Sequence, residues 1–129
     1  MNEESVTKEI LLAEDEEHIA KLVSFKLGKE GFSVTIARNG QEAVDLLEAK
    51  PWCLVILDIM MPIKTGWEVL RVLREHPKES IKELSVLMLT AKGLHKEVAN
   101  AAELGVQQYL KKPFDPNELA QVVKKLVNL

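Results

Sequence analysis

With one cysteine in 129 residues, Cys53, the chain cannot close a disulfide of its own. A lone thiol inside an apolar run points to a reducing compartment. There is no basic excess either. Seventeen lysines and arginines against 20 aspartates and glutamates leave a formal charge of −3, too acidic a balance to hold DNA or an anionic membrane. No apolar run approaches the roughly 20 residues that span a bilayer. The start of the chain, from Met1, is polar and acidic, unlike the apolar centre of a signal peptide. The three histidines, His18, His76 and His95, share no metal-ligand spacing and are read as surface residues. Internal repeats, low-complexity stretches and linkers are lacking too. These absences leave one compact cytoplasmic domain, long enough to bury about two-thirds of its unfolded surface.

What is present is alternation. Five short apolar or β-branched runs, at 10–13, 33–37, 53–57, 85–89 and 106–110, alternate with five helix-like stretches. That order implies βαβ units and a parallel sheet. The first, third and fourth runs, such as Cys53-Leu54-Val55-Ile56-Leu57, are apolar without alternation, the pattern of strands covered on both faces. The second and fifth are mixed, which suits sheet edges. Right-handed crossovers then give a doubly wound (βα)5 α/β fold with five parallel strands in the flavodoxin-like order 2-1-3-4-5.

The helices carry their own punctuation. Thr65 with Glu68 makes a capping box. Asp115-Pro116-Asn117-Glu118 supplies a cap, a proline at the first helical position and a first-turn acid, ahead of a Leu119, Val122, Val123, Leu126 stripe. Ile19, Leu22, Val23 and Leu27 form the same spacing in the first helix, which Gly31 ends. The fourth helix, 92–104, contains Gly93 and a stripe of only Leu94, Val98, Ala101 and Ala102, so it is expected to pack most loosely.

Open parallel sheets bind ligands at the carboxyl ends of their strands, where the strand order reverses. Here that point lies between the first and third strands. Glu14-Asp15-Glu16-Glu17 follows the first and Asp58 the third, so two or three carboxylates converge. Hard oxygen donors without thiol or imidazole suit Mg²⁺. Glu16 and Glu17 are read as acids of a helix N-terminus. Thr90 ends the fourth strand, and Lys111-Lys112-Pro113 follows the fifth. Carboxylates, a divalent metal, a hydroxyl and a lysine make a phosphoryl site, with a carboxylate as nucleophile.

These residues resemble the receiver domain of two-component response regulators. The likeness rests on Ala13-Glu14-Asp15-Glu16, Asp58-Ile59-Met60-Met61-Pro62 leading to Gly66, Leu89-Thr90-Ala91, and Tyr109-Leu110-Lys111-Lys112-Pro113-Phe114. It implies a receiver domain at 9–129 after a polar tail at 1–8. By the resemblance Asp58 is the phosphoacceptor. Mg²⁺ is bound by Glu14, Asp15, Asp58 and the Met60 carbonyl. Thr90 is the switch hydroxyl, Lys112 the phosphoryl-binding lysine and Tyr109 the switch aromatic. The Lys112-Pro113 bond is expected to be cis.

The implied protein is a signalling domain and not an enzyme, although it assists its own phosphorylation and dephosphorylation. Its donor is a sensor histidine kinase or phosphotransfer protein. Its output is a downstream protein target, or a phosphorylation-dependent homodimer, met by the face of the fourth helix, fifth strand and fifth helix. No direct nucleic-acid or membrane contact is expected. Met60 has no side chain to guide an attacking water, which implies a long-lived phosphoaspartate.

Rival readings are weaker. A flavin or nucleotide site would need a Gly/Ser/Thr-rich loop where Glu14 to Glu17 stand. An aspartyl phosphohydrolase would want an acid at Met60. A receiver-fold interaction module without phosphotransfer would not need the full set of matched groups. Met1 is read as a true N-terminus. Beyond Leu129 two expectations stand: a protein acting alone by protein contact, or a receiver excised from a longer one.

Overall fold

Three strands carry the weight of the core because both of their faces are covered. The computed structural model describes residues 7–91 and 105–127. In it β1 (Glu9–Ala13), β2 (Ser33–Ala37), β3 (Leu54–Asp58), β4 (Val86–Thr90) and β5 (Gln108–Lys111) form one parallel sheet in the order β2-β1-β3-β4-β5. Every residue of β3 and β4 is buried, whereas β2 and β5 are partly open, as expected of edges. Alternate residues of the central strands feed two separate cores. Leu11, Val55, Leu57 and Met88 face one, and Ile10, Leu12, Leu54, Ile56 and Leu87 face the other.

The helices are α1 (Glu17–Lys29), α2 (Gly40–Leu46), α3 (Gly66–Arg74), a single turn α4 (Glu79–Lys82) and α5 (Pro116–Leu126). Helices α2 and α3 cover the first core, and α1 and α5 the second. The expected caps are present. Thr65 and Glu68 close a reciprocal box, and the Asp115 side chain accepts from Asn117 N–H. At the end of α1, Gly31 takes φ +95°, and its N–H and that of Phe32 return to the Gly28 and Leu27 carbonyls. The expected fourth helix, 92–104, lies outside the described residues, and so does most of the polar tail.

Three details differ from the sequence reading. Strands β3 and β5 run one residue further than their apolar runs, because Asp58 and Lys111 stay in the ladder opposite neighbouring strands, while Thr90 ends β4 as expected. Asp58 therefore ends β3 rather than following it. Leu22 is not on the buried face of α1, which uses Ala20, Val23 and Leu27. It lines a groove of about 420 Å³ together with Ile19, Lys112, Pro113 and Phe114. Cys53 is half-buried and precedes β3.

Arg74 was invisible to pattern reasoning. Its guanidinium donates to the Lys82, Leu84 and Gly105 carbonyls, each at 2.8 Å, and to Gln107 Oε1 at 3.4 Å. Gln107 Oε1 in turn accepts from Val86 N–H at 2.7 Å. One planar fork thus ties the end of α3, the turn before β4 and the approach to β5, a task a lysine cannot copy. Arg74→Ala is expected to cost about 2 kcal/mol in urea unfolding, with Arg74→Lys recovering little of it.

Candidate functional site

The C-terminal ends of β1, β3, β4 and β5 bring Glu14, Asp58, Thr90 and Lys112 to one edge of the sheet. Glu14 N–H bonds to the Ala37 carbonyl at 3.0 Å, which fixes the turn out of β1. Lys112 N–H bonds to the Thr90 carbonyl at 2.7 Å, which ties the chain leaving β5 to the end of β4. The Lys112-Pro113 peptide is cis. Glu14 is fully buried, and Asp58 and Thr90 are each 5% exposed. Asp15 is exposed at the mouth.

One ammonium serves several carboxylates. Lys112 Nζ lies 2.8 Å from Glu14 Oε1, 3.1 Å from Asp58 Oδ2 and 3.5 Å from Glu16 Oε1. The contact to Asp58 is a hydrogen bond, whereas that to Glu14 is an ion pair without hydrogen-bond geometry. Glu14 Oε1 is thus a buried oxygen whose close partner is the ammonium it shares with Asp58. Its other oxygen accepts from Glu16 N–H at 3.2 Å. Asp58 Oδ1 takes only a long bond, 3.4 Å, from Met60 N–H.

Burial, and then the charge of Asp58, push the Glu14 carboxyl up to about 7 against the pull of Lys112. Burial draws the Lys112 ammonium down, but Glu14 and Asp58 together outweigh it and hold the group above its ordinary value. The cluster is therefore short of positive charge.

The donor set fits a hard divalent cation. Glu14, Asp15 and Asp58 each offer an oxygen within 4.8 Å of the others, while one ammonium, that of Lys112, faces the buried pair Glu14 and Asp58. Oxygen donors alone favour Mg²⁺ over zinc or copper.

The loop from Asp58 to α3 is set by close backbone approach. Gly66 N–H bonds to the Ile59 carbonyl at 2.8 Å, and a Cβ on Gly66 would stand 2.5 Å from the Asp58 carbonyl oxygen. Gly40, at the start of α2, packs as tightly on Lys64 from the other side. Within the loop, Lys64 N–H returns to the Pro62 carbonyl at 2.8 Å around Ile63, whose φ is +72°. This is a γ-turn of the rarer, positive-φ kind.

The sequence-predicted residues Glu14, Asp15, Asp58, Thr90 and Lys112 do converge. Met60 is adjacent, with its side chain exposed. Tyr109 sits on β5 opposite Met88 and packs against the α2–α3 core, where burial raises its phenol. Glu16 is the solvated acid expected at the helix start, half exposed at the N-cap of α1, and it also stands 3.5 Å from the Lys112 ammonium. The only sequence signal of that contact was its place two residues after Glu14. Glu17 is likewise the expected exposed acid, paired with Lys21.

Among known proteins, the family profile described as Response regulator receiver domain matches residues 10–124. The Transcriptional regulatory protein SrrA of Staphylococcus aureus is 37% identical over 122 residues, covering 95% of this chain and 48% of SrrA. The chain spans about half the length of the curated relatives it matches. The chemotaxis response regulator CheY4 of Vibrio cholerae superposes with a TM-score of 0.85 at 27% identity, covering 93% of this chain and 98% of CheY4. The receiver domain of the Francisella response regulator 1452 gives 0.83 at 28%, covering 95% and 98%. Among the described residues, no helix is long and apolar enough to cross a membrane.

Proposed function

Because this chain belongs to the response-regulator receiver domain family, we propose that it is a cytoplasmic switch that accepts a phosphoryl group on Asp58 in a Mg²⁺-dependent reaction, signals by changing shape, and is not itself an enzyme. The observation that supports this most is the single ammonium of Lys112 shared between buried Glu14 and Asp58 beside an exposed third carboxylate.

An Asp58 carboxylate oxygen attacks the phosphorus of a donor phosphohistidine. The P–N bond breaks, its electron pair stays with the imidazole, and the imidazole takes up a proton. Glu14, Asp15, Asp58 and the Met60 carbonyl would hold Mg²⁺, which when bound supplies charge neutralisation to the transferring group. Lys112, 3.1 Å from Asp58 Oδ2, holds the acceptor in place and is the cation that the new phosphoryl oxygens meet. The phosphoaspartate carries nearly two negative charges and three acceptor oxygens. Thr90, buried at the end of the adjacent strand, is the hydroxyl drawn to them, and Tyr109 turns inward as Thr90 moves. Phosphorylation shifts a two-state balance by a few kcal/mol.

The donor is a sensor histidine kinase or phosphotransfer protein. The output face lies on β5 and α5, and meets a downstream protein or a second copy of the chain. Met60 leaves an attacking water unassisted, so Met60→Asn is expected to shorten the phosphoaspartate lifetime severalfold in a decay time course. The reading is tested by intact mass after incubation with acetyl phosphate. It expects one added phosphoryl group that requires Mg²⁺. No adduct, with a control receiver labelled, would favour an interaction module without phosphotransfer.

A further inference from the structure

Glu16 occupies the N-cap of α1 and leaves the capping undone. Its backbone is extended there, with φ −79° and ψ 112°, and its side chain makes no bond to the first turn. Short oxygen-bearing side chains suit that position, and glutamate is not among them. The backbone is nevertheless held from both sides. Glu16 N–H donates to Glu14 Oε2 at 3.2 Å, and the Glu16 carbonyl accepts from Ala20 N–H at 2.9 Å. The carboxylate, free of capping, stands half exposed with Oε1 3.5 Å from Lys112 Nζ.

Three carboxylates therefore share one ammonium. Glu14 and Asp58 are nearer to it and buried, and Glu16 is the outermost. Phosphorylation changes the balance among them. Asp58 then carries nearly two negative charges and three acceptor oxygens, all drawn to the same cation. Glu16 competes with them for Lys112 and adds a like charge close by. Glu17 is the natural contrast. It is one residue further on and carries the same charge, but its ion pair is with Lys21, and both side chains are well exposed.

Resting on the receiver reading above, we propose that Glu16 is a positioning residue for phosphoryl transfer: it holds the Lys112 ammonium toward the unphosphorylated arrangement and so slows the loading of Asp58. It acts through Lys112 and not on the reacting atoms.

The test uses acetyl phosphate with Mg²⁺. An Asp58 oxygen attacks phosphorus, the P–O bond to the acetyl group breaks, and acetate leaves with the electron pair. Labelling rates are read by intact mass for wild type, Glu16→Gln and Glu17→Gln. Each is measured at ~0.01 M and ~1 M ionic strength, between which the screening length falls from about 30 Å to about 3 Å. Glu16→Gln keeps the shape of the side chain and removes its charge. It is expected to melt with wild type and, at low salt, to label about threefold faster, the size expected of a half-exposed ion pair. The gain should vanish at high salt, which a merely structural role would not produce. Glu17→Gln should label as wild type does at both. A Glu16→Gln rate equal to or below wild type at low salt would overturn the proposal. So would a gain that survives high salt, or an equal gain in Glu17→Gln, which would make the effect one of general charge and not of a hold on Lys112. Wild type that acetyl phosphate fails to label at either salt would contradict the receiver reading itself, and the proposal with it.

Discussion

In metal-free buffer Lys112→Met loses about 3 kcal/mol of stability, and millimolar Mg²⁺ restores a large part of it. Removing one partner of a buried ion pair leaves the other charge without a counterion, at a cost of about 3–5 kcal/mol. Here two carboxylates lose the same cation, fully buried Glu14 and nearly buried Asp58. The lower end of the range applies because Glu14, already pushed up to about 7, can relieve the strain by taking a proton. Mg²⁺ replaces the missing charge and stabilises by mass action, since it binds the folded cluster and not the unfolded chain. Asp58→Asn moves oppositely: it removes one of the like charges, so the metal-free variant melts above wild type and gains less from Mg²⁺. Urea unfolding of the three proteins with and without Mg²⁺ checks both signs. A Lys112→Met protein as stable as wild type in chelator would mean that the cluster does not depend on this ammonium.

Gly66→Ala is the second large effect. A Cβ there would lie 2.5 Å from the Asp58 carbonyl oxygen and 3.0 Å from the Asp58 carbonyl carbon and the Ile59 Cα, all backbone atoms that cannot swing aside. Either α3 retreats or the end of β3 moves. Overpacking of this kind costs about 2–3 kcal/mol. The functional loss is larger than the stability loss suggests. A shift of about 1 Å in a reacting group can cost 10²-fold in rate, so acetyl phosphate labelling should slow at least tenfold in a protein that remains folded. Thermal melting together with the labelling rate separates the two consequences. A labelling rate equal to wild type would show that the loop adjusts without disturbing Asp58.

Much of this architecture was legible because its signals are local. The unbroken apolar runs of β1, β3 and β4 announce strands covered on both faces, and the capping residues Thr65 and Asp115 sit where their helices begin. The convergence of Glu14, Asp58, Thr90 and Lys112 follows once the strand order is known, since each stands at a strand's carboxyl end. What was illegible depends on three-dimensional meeting. The acceptors of Arg74 named above lie 8 to 33 residues away in sequence. Leu22 obeys the helical spacing yet faces a groove, because Ala20 fills the inner position next to the sheet. Glu16 looks like any first-turn acid until Lys112 arrives from β5. Ile63 carries no sequence mark of positive φ, since that conformation is imposed by the turn between Pro62 and Lys64.

The central claim is that Asp58 is the nucleophile, and the direct measurement is where the phosphoryl group sits. Wild type is labelled with acetyl phosphate and Mg²⁺, reduced with borohydride, which converts an acyl phosphate on aspartate to homoserine, and mapped by peptide mass beside Asp58→Asn treated in the same way. Homoserine at position 58 in the wild type, and no label in the variant, is the predicted result. Homoserine at another aspartate, or an adduct that persists in Asp58→Asn, would contradict it.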